Sequence, residues 1–394
     1  MAHTRIEEER PTWHDTPAKM SQIIHRPGSV VDMPSSDSHV ASPRMVTLVR
    51  EAKGWSQADL AKTVGVTQGF VSKVENGLTE LTAERLAAFA EVLGCPVALL
   101  TNHDAQHGIE VSCMFHRRRQ SRITVGTAKK IEAVSHLTRI TVDSLLGAGD
   151  TGTKTALERM DIDDFDGDAA HIAQLLRARW RIPSGPISNL HALLDDVGVV
   201  VVVRSLDSTA QDAFSTWPRG KAPLMVVRVG MPPDRERFTI CHELGHIVMH
   251  VLPNADQEHQ ADLFAAEFLM PADDIRPQLV GLTTRDFPRL MELKAQWKVS
   301  IAALIQRAKT LELISDRQFR EFRIKLSKFG WNTVEPIDLP VERSFLLDTV
   351  IDTYRTRHGY SDADLARMAY MTPEAFREHY LREIKRTELQ AVRS

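Results

Sequence analysis

The stretch FTICHELGHIVMH, Phe238 to His250, places two histidines four residues apart with a glutamate beside the first. A helix repeats every 3.6 residues, so His242 and His246 project from one face about a turn apart. Two imidazoles so placed can each bring a nitrogen about 2.1 Å from one zinc ion. Glu243 stands beside them, at the position where a carboxylate takes a proton from zinc-activated water and passes it to a leaving amine. The chemistry this spacing suggests is hydrolysis of a peptide bond. The plainer account is a buried helix that happens to contain histidine.

A third ligand separates the two accounts. The segment EHQADLFAAEFLMP follows, with apolar residues at helical spacing and a stop at Pro271. Its first residue, Glu258, lies twelve positions after His246, enough for a turn and a return on a second helix. Asp262 comes one turn later and can accept the outer N–H of a ligating histidine, which fixes the ring. Glu267 is a rival third ligand. His250 shares the histidine face but lies a further turn on, and reads as a packed or capping residue. His259 reads as surface. Cys241 reads as a small core residue.

A second chemistry lies some 180 residues upstream, in WSQADLAKTVGVTQGFVSKVENG. Ser56 can cap a helix over Gln57 to Val64, Gly65 supplies a turn, and Thr67 caps a helix from Gln68 to Asn76. Leu60, Val66, Val71, Val74 and Leu86 can form the core. The outer face of the second helix then presents Gln68, Gly69, Ser72 and Lys73 to base edges or phosphates, with Thr67 at its start. Gln57, at a helix N-terminus, suits a phosphate. Residues 44–93 balance six basic against six acidic residues. Phosphate attraction is therefore expected from the neighbouring HRRRQSR run, Arg117, Arg118 and Arg119 above all.

Elements must position both sets. Residues 1–42 lack helical or strand period and read as a disordered arm. Residues 43–103 form the reader, and 104–150 a basic link followed by one amphipathic helix whose Ile131, Val134, Leu137 and Ile140 need a partner surface. The acidic MDIDDFDGD does not fit a calcium loop and reads as a solvated loop before a helix. Residues 151–335 hold two helices, a buried strand at Val199 to Val203, a second at Leu224 to Val229, and the HELGH helix. After Pro271 the chain reads helical to its end, with 336–394 as a separate helical region. There, YSDADLARMAYMTPEAFREHY echoes the reader but lacks its glycine turn and Ser/Lys pair, so it reads as a structural helix pair.

The bulk properties set limits. A chain of 394 residues with 43% hydrophobic residues can bury two or three cores. Its net charge of −3 excludes a chain-wide basic coat. No apolar run approaches the roughly 18 residues of a membrane span, and the N-terminus lacks a signal-peptide pattern. Three cysteines far apart, Cys95, Cys113 and Cys241, suit a reducing cytoplasm.

Both active stretches resemble known families. SQADLAKTVGVTQGFVSKVENG resembles the Xre/Cro/C1 helix-turn-helix family. RWRIPSGPISNL, DRERFTICHELGHIVMH, EHQADLFAAEFLMP and SIAALIQRAKTLELIS resemble the ImmA/IrrE metallopeptidases. The resemblance implies a mainly α chain: a five-helix N-terminal reader and a small α+β zincin-like core with the active helix against a short sheet. It implies zinc held by His242, His246 and Glu258, catalysis by Glu243 and support from Asp262. It also implies cleavage of an Xre-type repressor, derepressing phage, mobile-element or stress genes. A homodimer on a two-fold DNA operator, in the cytoplasm at the nucleoid, is expected. Simple members are separate from the repressor they cut, whereas here reader and peptidase share one chain. The substrate is then another protein, another copy of this chain, or none. In the last case the zinc domain senses a metal, a ligand or a redox state.

Overall fold

The computed structural model describes residues 40–103, 124–147, 157–206, 211–252 and 254–381. The N-terminal arm falls almost wholly outside them, as do Arg117 to Arg119 and Cys113.

Five helices form the reader: α1 (Pro43–Ala52), α2 (Gln57–Val64), α3 (Gln68–Glu75), α4 (Ala83–Leu93) and α5 (Val97–Leu100). Ser56 and Asp59 make a reciprocal capping box at the start of α2, and Gly65 ends it at φ 79°. Thr67 caps α3 by accepting from the Phe70 N–H. Leu60, Val71, Val74 and Leu86 are buried with Met45, Val46 and Phe89, while Val66 is only partly covered. Arg50 crosses this core, held by the Glu75 carboxylate at 2.6 Å and the Trp55 carbonyl at 2.6 Å.

Helix α6 (Val125–Leu146) spans about 33 Å at 1.5 Å per residue and packs on two sides. Ala133, Leu137 and Ile140 join the reader's core. Ile131, Val134, Val142 and Leu145 join a different cluster, built on the sheet and the C-terminal helices.

The short helix Ile162–Phe165 occupies the acidic stretch, followed by α7 (Ala169–Arg179) and α8 (Leu190–Asp196). The sheet comprises β1 (Val200–Arg204), β2 (Ala213–Thr216) and β3 (Leu224–Arg228), in the order β1-β3-β2. β1 runs parallel to β3, with Val200 opposite Leu224, and β2 antiparallel, with Ala213 opposite Val227. β2 was not expected. Side chains alternate between faces along a strand. Val201, Ala213, Met225 and Val227 enter the core that also holds the HELGH helix. Val200, Val202, Phe214, Leu224 and Val226 enter the cluster containing α6. Both faces are covered, which is why the valine run is continuous.

Helix α9 (Pro233–Met249) carries HELGH, and α10 (Gln257–Leu269) returns beside it. Then come α11 (Ala272–Leu279), α12 (Phe287–Trp297), α13 (Ile301–Thr310) and α14 (Asp316–Lys328). The helical reading of everything after Pro271 fails at residues 332–345, where Pro336 and Pro340 each remove a backbone donor. This strap is fastened by carboxylates. Glu335 accepts from the buried Lys294 ammonium at 2.9 Å and from the Ile301 N–H at 2.8 Å. Glu342 pairs with the buried Arg237 and accepts from the Leu190 N–H at 2.7 Å. Asp195 accepts from the Ser344 hydroxyl at 2.6 Å and the Phe345 N–H at 2.7 Å.

Three helices close the outer face of the sheet: α15 (Leu346–His358), α16 (Asp362–Met368) and α17 (Pro373–Tyr380). The echo is real at the level of caps, with Ser361 and Thr372 in the roles of Ser56 and Thr67. The exposed residues of α17 include Glu374, Arg377, Glu378 and His379, a mixed-sign surface without a basic reading face.

His136 of α6 is buried against the reader, and burial, then Arg44, push its pKa down to about 4. Its unfolded value is near 6.5, so the folded state resists protonation and loses stability as pH falls from about 6.5 toward 4, by up to about 1.4 kcal/mol per pH unit. His136→Gln is therefore expected to shrink the drop in Tm between about pH 7.5 and about pH 5. An equal drop in both proteins would count against it.

Candidate metal centre and nucleic-acid interface

Helix α9 is buried along most of its length, and Glu243 and His246 are wholly inaccessible. The Nε2 atoms of His242 and His246 face each other at 3.0 Å. The Glu258 carboxylate, from the first turn of α10, lies 3.4 Å from His246 Nε2 and 3.6 Å from His242 Nε2. Four ligands placed tetrahedrally at about 2.1 Å from zinc stand about 3.4 Å from one another. The three donors have that spacing, and their types suit zinc. Among the described residues no other group of three such side chains converges in this way.

The approach of α10 to α9 depends on Gly245, which lies between Glu243 and His246. A Cβ there would meet the Phe264 ring at 3.0 Å, tighter than nearly all packed carbons, so the ring or the helix would have to give by a few tenths of an ångström. Phe264 itself is fully buried and stacks on Phe268 at 5.6 Å. The glycine lets the aromatic ring lie against the α9 backbone, and α10 thereby carries Glu258 to the histidines.

The outer nitrogens of both histidines are held. His242 Nδ1 lies 2.8 Å from Asp262 Oδ1, the support expected of that aspartate. His246 Nδ1 lies 3.0 Å from His250 Nδ1, and His250 Nε2 lies 3.0 Å from Gln260 Oε1. Asn254 Nδ2 donates to the same oxygen at 3.1 Å. Burial, then His246, push the His250 pKa down to about 4, so the ring carries one proton. Gln260 Oε1 can only accept, which places that proton on His250 Nε2. His250 Nδ1 is left to accept from His246 Nδ1–H, and the His246 Nε2 lone pair turns toward Glu258. His250 thus does for His246 what Asp262 does for His242, a role the sequence did not disclose.

Ser215 was also missed. Its hydroxyl donates to Glu243 Oε2 at 2.8 Å and fixes the plane of the carboxylate. It sits on β2, and a four-residue strand shows too little alternation to be read in advance. The rival ligand Glu267 is engaged elsewhere: it pairs with buried Arg307, accepts from Gln174 Nε2 at 2.8 Å and caps α11 through the Ala272 N–H at 3.1 Å. His259 is exposed. Cys241 is fully buried and its thiol is pushed up to about 12, mainly by desolvation; the half-buried Cys95 thiol is pushed up to about 12 as well. Neither forms thiolate at neutral pH.

On α3, Thr67, Gln68, Gly69 and Lys73 are exposed and Ser72 is half-buried. Thr67 spends its hydroxyl on the cap. Gln57 turns inward, its Nε2 donating to Glu75 Oε2 at 2.8 Å, so a phosphate contact from it requires exchange of that bond. The Arg85 guanidinium lies over the Phe70 ring, 4.6 Å from its centroid, and adds a cation beside the outer face of α3.

Outer partners typically tune metal affinity 10–100-fold. His250→Ala and Asp262→Ala are each expected to weaken zinc binding by roughly that factor in competition with a chelator, and His259→Ala to leave it unchanged. Gly245→Ala is expected to reduce zinc retention by forcing α9 and α10 apart. Equal zinc affinity in His250→Ala and His259→Ala would remove His250 from the support.

Comparison with known proteins agrees with this arrangement in two parts. Residues 48–100 match the family described as helix-turn-helix. Residues 194–309 match the family described as IrrE N-terminal-like domain, Peptidase M78. The chain therefore carries an Xre-type reader and an ImmA/IrrE-type peptidase domain, in that order. No curated protein matches it.

Proposed function

We propose that the chain is a gene regulator whose peptidase domain holds zinc through His242, His246 and Glu258 and cleaves a polypeptide at that site. The observation that carries this reading is the spacing of the three donors, 3.0 to 3.6 Å, close to what one tetrahedral ion requires. Zinc bound there supplies Lewis acidity at neutral pH. Glu243 takes a proton from the attacking water at its carboxylate and delivers it to the departing amine. Ser215 holds that carboxylate in plane for both transfers. Asp262 and His250 keep the two imidazoles oriented, and the buried surroundings of α9 keep bulk water from competing for Glu243.

The reader brings this chemistry to DNA. Its two-fold use by a homodimer, on half-sites about one helical turn apart, follows from the motif. The substrate we expect is an Xre-type repressor or a second copy of this chain. Cys241, held as a thiol, speaks against a redox-sensing role for the zinc domain.

The decisive comparison is wild type against Glu243→Gln, with zinc content measured in both. The variant is expected to keep its zinc and to lose cleavage of an Xre-type repressor, or of its own chain, by roughly 10²–10⁴-fold. If no polypeptide is cut by the zinc-loaded wild type while DNA binding persists, the chain regulates without cutting.

For the reader, Lys73→Ala is expected to weaken DNA binding in mobility-shift titrations, and Gln68→Ala to change base preference. Neutralising Arg117 to Arg119 should weaken binding to all sequences alike and flatten its salt dependence. Unchanged salt dependence would leave that run a spacer.

A further inference from the structure

A cavity of about 390 Å³ opens where four parts of the chain meet, on the side of the sheet away from the metal donors. This is within the roughly 300–1,000 Å³ of small-molecule sites. One wall belongs to the reader, from the end of α1 to the turn between α4 and α5. The second is α6, the third the end of β1, and the fourth the turn and helix around Tyr370 to Tyr380. The walls are mainly apolar, with Leu137, Leu206 and Met371 among them. The charged groups are of one sign. Lys53, Lys130 and Arg204 line the cavity, and no carboxylate among the described residues does.

Two of the three cations are placed by independent contacts. Lys53 Nζ lies over the Trp55 ring at 5.0 Å, and the Arg204 guanidinium over the Tyr380 ring at 4.6 Å. Both are thus braced by aromatic faces. The Cys95 thiol in the wall is pushed up to about 12 by burial and offers no competing anion. An apolar chamber lined with cations from the reader, from α6 and from the sheet selects an organic anion with an apolar body.

We propose that this cavity binds an amphipathic organic anion, whose acidic group is met by the lining cations Lys53 of the reader, Lys130 and Arg204 and whose apolar body lies between α6 and the C-terminal helices. Such a ligand touches the reader and the peptidase-side sheet at once. Its binding must therefore be linked to any change in their relative position, and reciprocally so. The site is separate from the metal centre, and the proposal stands whether or not the chain cuts a polypeptide.

The test uses the full chain and decanoate below its micellar concentration as probe, followed by titration calorimetry. Decanoate is expected to bind once per chain, and uncharged decanol at least about ten-fold more weakly, because desolvated charge pairing supplies the difference. Arg204→Gln combined with Lys130→Gln is expected to weaken decanoate at least about ten-fold and to leave decanol unchanged. Ala375→Phe, which fills the chamber from α17, is expected to abolish both. Absence of saturable decanoate binding, equal affinity for decanol, or full binding by the Arg204/Lys130 variant would each overturn the proposal. Should Ala375→Phe fail to fold, the charge variant alone decides, since both its side chains are replaced by uncharged ones of similar length.

Discussion

The contact between Gly245 and the Phe264 ring governs the peptidase half. Helix α9 is buried along most of its length and α10 along the side that carries Ala261, Phe264, Ala265 and Phe268, so they cannot adjust outward. The donor spacing is a fine consequence of that coarse packing. A displacement of α10 by the few tenths of an ångström that a Cβ at Gly245 would demand already matches the roughly 0.2 Å tolerance of a zinc bond. The rest of the domain serves the contact: Phe268 stacks on Phe264, Arg307 and Glu267 tie the end of α10 to α13, and α7 packs along its other side. Burying Arg307 and Glu267 together is costly unless their geometry is held, and the Gln174 and Ala272 hydrogen bonds hold it.

The sheet plays a different part. It is thin, three strands, yet each face belongs to a separate core. One face backs α9, and through Ser215 it reaches Glu243. The other receives α6, which also completes the reader's core. The reader is therefore no loose appendage, and α6 is no mere linker. The strap at residues 332–345 makes the second half of this union by tying α15 to α8, α9 and α12 through carboxylates.

The legible and illegible parts of the chain divide along physical lines. His242, Glu243, His246 and Glu258 could be read because helical period fixes their mutual placement within and between two consecutive helices. The reader could be read because caps and a positive-φ glycine act locally. Ser215 and His250 could not. Ser215 depends on strand pairing across a sheet whose edge strand has four residues, and His250 depends on a side chain, Gln260, brought back by the turn after α9. The dual packing of α6 was half legible, since its apolar positions demanded a partner while nothing local said there would be two. The strap was missed because its helical neighbours masked the two prolines.

The position of the C-terminal helices has a consequence for the order in which the protein is made. The reader's own five helices emerge first, and the metal-side core follows. Val200, Val202, Phe214, Leu224 and Val226, however, wait for partners at residues 346–380, which leave the ribosome well after the strands do. During that interval an apolar sheet face and one flank of α6 stand open. A nascent chain halted before residue 346 would carry a folded reader joined to an uncovered hydrophobic surface, a species fit for chaperone capture and unfit for release onto DNA.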